Sequence, residues 1–245
     1  MRSAAALILG LAMLAGCQGA KDGDPNRPAT AREFPHADRP VTKPGLRSFS
    51  TEVQRDSVNE ADTVMNLAAI SEGMTVADIG AGEGYYTVRL AVRVGRKGRV
   101  LAQDIDRIAL EQLGTRVERE RLDNVSIKLG TPDTPGLPAA SFDRIFLVHM
   151  YHEVAEPYAF LWRLRPALRP GGKVIVVDVD RATDQNGIPP ALLFCEFSAL
   201  GFRLTQFVRK PELQGYYAQF EAVGAAPAPA AIRPCQQAEQ PATAQ

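Results

Sequence analysis

The chain has 245 residues, 45% of them hydrophobic and 23% charged, which is ordinary for one globular domain with a real core plus extensions. Lys and Arg together number 28 and Asp and Glu also 28, so the formal net charge is zero and nothing points to a nucleic-acid-binding surface.

Met1-Arg2 carries one positive charge, and Ala4 to Ala15 is almost wholly apolar. That run is too short for a comfortable membrane span and has the shape of the apolar region of a signal peptide. It ends in Leu14-Ala15-Gly16-Cys17, which resembles the lipobox of bacterial lipoproteins. The resemblance implies a signal peptide over residues 1–17, cleavage before Cys17 and lipidation of that cysteine. With Gln18 rather than an aspartate next, it also implies sorting to the outer membrane, facing the periplasm. Two or more acyl chains hold a protein stably on a membrane. A plain secretory signal with an incidental cysteine is the alternative. Residues 18–48 are rich in Pro, Asp, Lys, Arg and Gly and read as a flexible linker.

Order is expected from about Phe49. Apolar residues at Ala61, Val64, Met65, Leu67, Ala68 and Ile70 predict an amphipathic helix from Asn59 to Ile70, stopped by Gly73. Strands are predicted at Thr75 to Ile79, Arg99 to Gln103, Val125 to Leu129, Phe142 to Val148 and Lys173 to Val179. Helices are predicted between them at Tyr85 to Val94, Arg107 to Leu122 and Tyr158 to Leu168. The second of these carries Ile108, Leu110, Leu113 and Val117 on its buried side; Gly130 to Ala140, with three prolines, reads as loop. A helix over Ala191 to Leu200 then leads to a closing hairpin, Phe202 to Val208 and Tyr216 to Ala222. Strands alternating with helices make this an α/β chain with a mostly parallel sheet covered on both faces, and residues 49–222 its domain. Residues 223–245 are dominated by Ala, Pro and Gln and read as a disordered tail. Cys195 falls in an apolar helix and Cys235 in that tail; nothing in the sequence brings them together, so they are expected to be unpaired, though an oxidising compartment would permit a disulfide.

The stretch V-A-D-I-G-A-G-E-G-Y-Y, Val76 to Tyr86, organises the rest. An apolar strand runs into glycines at alternate positions, and an amphipathic helix follows. Gly80 and Gly82 permit a left-handed backbone and clear Cβ atoms from a ligand's path, while the helix start offers free N–H groups to a polar or anionic group. In an open α/β sheet the ligand lies beyond the carboxyl ends of the strands, where the strand order reverses. Asp104 ends the second strand twenty residues beyond Gly84, a place that suits a two-oxygen grip on ribose hydroxyls, with a helix N-cap as the alternative. Tyr85 stands where the dinucleotide fingerprint needs glycine, which counts against a nicotinamide cofactor.

With G-R-V-L-A-Q-D-I-D-R, S-F-D-R-I-F-L-V-H-M-Y-H-E-V and L-R-P-G-G-K-V-I-V-V-D following in order, the chain from Gly73 to Asp178 resembles class I S-adenosylmethionine-dependent methyltransferases. That resemblance implies a Rossmann-like, seven-stranded, mostly parallel sheet with an antiparallel C-terminal hairpin strand. It places Gly80, Ala81, Gly82, Gly84 and Tyr85 against the methionine part of S-adenosyl-L-methionine, with Asp78 beneath. Asp104 would hold the ribose, Ile105 would pack on adenine, and His149 and Met150 would line the cleft. Many family members carry Gly-Asp after the third strand; here the chain reads Gly130-Thr131-Pro132-Asp133, so either Asp133 reaches the adenine amino group or that contact is missing.

Methyl transfer from a sulfonium is an in-line displacement in which the protein mainly positions donor and acceptor; a base helps when the acceptor is a weakly acidic hydroxyl or thiol. His149, Tyr151 and His152 are the candidate catalytic residues, each with a structural role as the alternative. His149, His152 and Glu153 come from one short segment, so no metal site is expected. Arg55-Asp56 reads as a surface ion pair, with a lid over the site as the alternative. The expected activity is methylation of a small-molecule or lipid-linked acceptor. The alternative is an envelope lipoprotein that keeps the fold as a binding or scaffolding module.

Overall fold

A computed structural model describes residues 27–42, 51–210 and 215–236. The elements in chain order are α1 (Glu52–Ser57), α2 (Glu60–Leu67), β1 (Thr75–Ile79), α3 (Tyr85–Val94), β2 (Arg99–Asp104), α4 (Arg107–Arg119), β3 (Val125–Leu129) and β4 (Phe142–Val148). They continue with α5 (Pro157–Leu164), β5 (Leu168–Asp178), α6 (Pro190–Ala199), β6 (Phe202–Lys210) and β7 (Gly215–Ala222).

One seven-stranded sheet runs β3-β2-β1-β4-β5-β7-β6. The pairs among β1 to β5 are parallel, and β7 is antiparallel to both β5 and β6. This is the α/β architecture expected from the motif order. The strand order reverses between β1 and β4, so the loops after β1, β2 and β4 meet at one place. Val174 to Val177 of β5 are fully buried on both faces, as a central strand of such a sheet requires.

The two faces are covered differently. On one, α2 and α3 pack Val64, Met65, Tyr86, Leu90 and Val94 over Val76, Val100, Phe146 and Ile175. Leu110 and Leu113 of α4 cover Ala102. Ile108, expected on that buried side, is 67% exposed. It stands two residues from Leu110, about 200° round the helix, so the stripe set by Leu110 and Leu113 turns it outward.

The other face has α5 and α6, but the β3–β4 connection carries no helix. Residues 27–42 supply the missing cover. Ala31, Phe34 and Ala37 are buried in the core there, and Phe34 packs edge-on to Trp162 at 5.7 Å. Two buried ion pairs hold this strap: Arg27 to Glu156 at 2.6 Å and Arg39 to Glu196 at 2.7 Å. The flexible linker expected over 18–48 is therefore packed structure from 27 to 42.

The expected disordered tail is also partly built. Through residue 236 it is tied down by Trp162 Nε1 donating to Pro227 O and by buried Ile232 and Cys235. Cys195 and Cys235, expected to be unpaired, form a disulfide joining α6 to this tail. The folded tail, not the sequence spacing, brings them together. The helix expected over Asn59 to Ile70 is α2, Glu60–Leu67, capped by the left-handed Asn59 (φ 51°), and a separate short helix, α1, precedes it. The Cys17 segment lies outside the described residues.

Candidate functional site

The turn after β1 is built by backbone bonds. Gly80 N and Ala81 N both donate to Gln103 O, at 2.8 and 3.0 Å, which bends the chain over the end of β2. Gly80, Gly82 and Gly84 all have positive φ, at 71°, 52° and 90°. A side chain at Gly80 would strike Met150 Cγ at 2.8 Å and one at Gly84 would strike Leu113 Cδ1, whereas above Gly82 the space is open. Gly80 and Gly84 thus allow close packing, and Gly82 keeps a gap.

Gly82 N donates to Asp104 Oδ2 at 2.8 Å, so the glycine turn and the acidic end of β2 are in direct contact. Asp104 Oδ1 accepts from Asp106 N at 2.9 Å. The N-cap of α4 is Asp106, whose Oδ1 accepts from Ile108 N and Ala109 N. A carboxylate offers about four acceptor positions, so one N–H on each oxygen leaves Asp104 free to accept from two hydroxyl groups. Ile105, next to it, is 43% exposed, an uncovered apolar surface beside that carboxylate. These residues fit an adenosine-bearing ligand.

Asp78 lies under the turn, buried, accepting from Thr87 Oγ1 at 2.6 Å. Burial pushes its carboxyl up to about 6 against that hydrogen bond. Above the turn sits α1. Arg55 stacks its guanidinium 3.8 Å from the Tyr85 ring centroid, and Arg89 lies 3.9 Å from the same centroid. Tyr85 OH donates to Asp56 at 2.9 Å, and Arg89 pairs with Asp56 at 2.7 Å. Arg55 and Asp56 are therefore not a surface pair with each other; both fold down onto the start of α3. Two open clefts of about 390 Å³ lie elsewhere, one at the amino ends of β2 and β3 and one between α2 and α3. α1 packs on Tyr85 and Arg89 of α3 beside the turn, and neither cleft opens onto the turn.

Beside α1 a polar cluster meets at Glu60 Oε1. Arg55 donates to it through Nε (3.1 Å) and Nη2, Tyr86 OH donates at 3.0 Å, and His149 Nε2 lies 3.5 Å away. Burial alone would raise Glu60, but His149 and Arg55 outweigh it and hold the carboxylate down at about 2. His149 is itself in the left-handed region (φ 53°), aimed by the bend that ends β4.

His152 is 1% exposed, and its Nδ1 lies 3.0 Å from both oxygens of Asp178, a fully buried residue ending β5. A carboxylate only accepts, so Nδ1 carries the proton and Nε2 faces the Glu153 side, 4.0 Å from Oε1. Burial would lower the imidazolium; Asp178 reverses this and raises it above the ordinary histidine value. Tyr151 is fully buried, its hydroxyl donating to Glu196 Oε2 at 2.8 Å, which places it in the core beside Arg39 rather than in a cleft. Asp133 accepts from Thr30 Oγ1 at 2.6 Å and Thr131 Oγ1 at 3.0 Å and pairs with Arg163. Its oxygens are spent on the strap and α5. Among the described residues no cluster of His, Cys, Asp and Glu is arranged to hold a metal ion.

Sequence reasoning missed Asp178 and Glu60. Asp178 was legible as the acid ending an apolar strand; Glu60 carries no local signal, because its partners come from α1, α3 and the β4 loop.

Strand order, glycine turn and the acid ending β2 define a Rossmann-like α/β fold with a ligand site at its switch point. Residues 76–172 match the family described as methyltransferase domain. A protein-L-isoaspartate O-methyltransferase of Methanothrix thermoacetophila is 32% identical over 111 residues, 45% of this chain and 50% of that protein. The ubiquinone/menaquinone biosynthesis C-methyltransferase UbiE of Shewanella frigidimarina is 29% identical over 115 residues, 46% of each. The chain thus spans about half the length of these curated relatives. Among solved structures, a SAM dependent methyltransferase from Aquifex aeolicus superposes with a TM-score of 0.62 at 24% identity, covering 68% of this chain and 90% of that one. The [4+2]-cyclase SpnF superposes with a TM-score of 0.61 at 15% identity, covering 78% and 90%. The fold is shared with both.

Proposed function

We propose that this protein is an S-adenosyl-L-methionine-dependent methyltransferase acting on a small-molecule or lipid-linked acceptor. The observation that carries the reading is the Gly82 N to Asp104 Oδ2 bond of 2.8 Å, which unites turn and carboxylate as two walls of one site. Asp104 holds the ribose hydroxyls, Ile105 lies under adenine, and Gly80 to Gly84 with Tyr85 border the methionine part, above Asp78. His149 and Met150 line the side after β4. Asp133, with its oxygens already engaged, is not assigned to adenine. The cofactor supplies an activated methyl group on a sulfonium, so the chain's own work is alignment and proton removal.

The proton acceptor is His152. His152 Nε2 would take the acceptor's proton, and Asp178, bonded to Nδ1, would stabilise the imidazolium. Tyr151 serves as a buried strut. The two relatives named above methylate different kinds of atom by their names, so the acceptor is not inherited from either. The anchor expected at Cys17 favours one that is itself in or near a membrane. The Cys195–Cys235 disulfide supports an oxidising compartment, in agreement with export to the cell envelope and the periplasmic side of the outer membrane.

Calorimetric titration of the purified protein with S-adenosyl-L-methionine tests the reading. Binding in the micromolar range is expected; no heat at high micromolar ligand overturns it. Metabolic labelling with a fatty acid, lost on Cys17→Ser, tests the anchor.

A further inference from the structure

The strap enters and leaves the fold at the same end of the sheet as the glycine turn. Arg27, where the described chain begins, pairs with Glu156 at 2.6 Å, and Glu156 is the N-cap of α5, in the connection that follows β4. At the far end of the strap Arg39 donates to His152 O and Val154 O in that same connection, and Thr42 Oγ1 donates to Thr183 O beyond β5. Strands β1, β4 and β5 are parallel, so these contacts lie at their carboxyl ends, where Gly82 meets Asp104. The same end carries uncovered apolar side chains on its rim. Ile108, 67% exposed, stands in the first turn of α4, and Leu129, 43% exposed, closes β3.

We propose that this carboxyl end of the sheet rests on the bilayer, with Ile108 and Leu129 on the contacting rim, and that the methyl acceptor is an amphiphile held in that bilayer with its reacting group at headgroup depth. The inference rests on the anchor and the cofactor reading above, and adds to them the orientation of the domain and the class of acceptor. Length decides which end faces the membrane. Ten peptide steps (27 − 17) separate Cys17 from Arg27, and a chain of that length spans at most about 35 Å. A compact domain of this size has a radius of gyration of about 16 Å and is therefore roughly 40 Å across. The tether is too short to pass from Arg27 round the domain to the amino ends of the strands. The apolar rim then favours end-on contact over a sideways one, because each apolar side chain moved from water into the interface stabilises the contact. With a formal net charge of zero the chain has no general attraction to anionic headgroups, so tether and rim set the pose. A site held against the leaflet meets a membrane-resident molecule at high effective concentration, whereas a water-soluble acceptor gains nothing from the tether.

Full-length lipidated protein in vesicles of phosphatidylethanolamine and phosphatidylglycerol tests the orientation. With Cys17 acylated and Cys195 bonded to Cys235, one introduced thiol takes a fluorescent label. Ile108→Cys places it at the carboxyl end, and Val223→Cys places it just past β7, whose last residues pair with the amino end of β5. Lipid spin-labelled at the headgroup is expected to quench the first label at least threefold more than the second. Equal quenching, or more at the second, overturns the proposal. The acceptor class is read with S-adenosyl-L-methionine carrying a tritiated methyl group, incubated with the same vesicles and an envelope lipid extract of the cells that make the protein. Chloroform-soluble tritium is expected. Tritium only in a water-soluble extract, or in neither extract while the cofactor binds, overturns the acceptor class. Absence of cofactor binding by calorimetry overturns the methyltransferase reading instead and leaves the quenching result standing. Absence of fatty-acid labelling at Cys17 overturns the anchor, and this orientation with it, before any vesicle is made.

Discussion

Asp104 carries the most specific consequence of any single residue. Its two oxygens each hold one backbone N–H, and its remaining acceptor positions are those assigned to the ribose. Asp104→Ala is expected to lower S-adenosyl-L-methionine affinity by tenfold or more, since each charge-assisted bond contributes on the order of 1.5–3 kcal/mol; titration calorimetry reads it directly. Asp78 predicts a pH effect of defined sign. Its carboxyl rises from the ordinary 3.8 to about 6 because burial disfavours the charged form. A raised acid stabilises the fold fully below the unfolded value and loses that contribution as pH rises through the folded one. Asp78→Asn removes the titration, so relative to wild type the variant is expected to gain roughly 3 kcal/mol of stability as pH climbs from about 4 to about 7. Urea unfolding of both proteins at those pH values measures it, and a constant difference would contradict the assignment.

Elements decide what residues cannot. The β3–β4 connection lacks a helix, and the strap over residues 27–42 takes its place with three apolar anchors, Ala31, Phe34 and Ala37, and two buried ion pairs. Phe34→Ala is expected to cost about 3–5 kcal/mol, the usual loss for a buried aromatic, seen as a lower urea midpoint. Arg39 also donates to the carbonyls of His152 and Val154, at 3.2 and 3.1 Å, so the strap holds the loop that carries the proposed base. The disulfide from α6 to the C-terminal segment lies beside the strap on the same face: Glu196, next to Cys195, pairs with Arg39, and Gln236, next to Cys235, bridges Asp38. Cys195→Ser is expected to destabilise the protein by about 2–4 kcal/mol, and reductant should reproduce the effect in the wild type but not in the variant.

At the scale of the whole molecule, two terminal segments and two helices bury one face of the sheet, and α2, α3 and α4 bury the other. The domain is therefore longer than its motif-bearing centre. A chain beginning at residue 49 would expose the apolar surface that Ala31, Phe34 and Ala37 cover and would strand Glu156 and Glu196 without their arginines. Such a truncation is expected to unfold at lower urea, and to scatter light more on heating, than one beginning at residue 27.

Local pattern determined the sheet, the glycine turn and Asp104. Each depends on periodicity or on residues adjacent in the chain, where backbone geometry acts directly; β1, α3, β3 and β4 fall where apolar spacing puts them. Tertiary structure alone decided the strap, the disulfide, the burial of Tyr151 and the Glu60 cluster. Arg27 and Glu156, or Cys195 and Cys235, have no shared period or motif; they become neighbours only when the sheet sets their separate segments side by side. Polar groups brought inside that way must find partners there, and the partner's position in the chain is set by topology rather than by spacing.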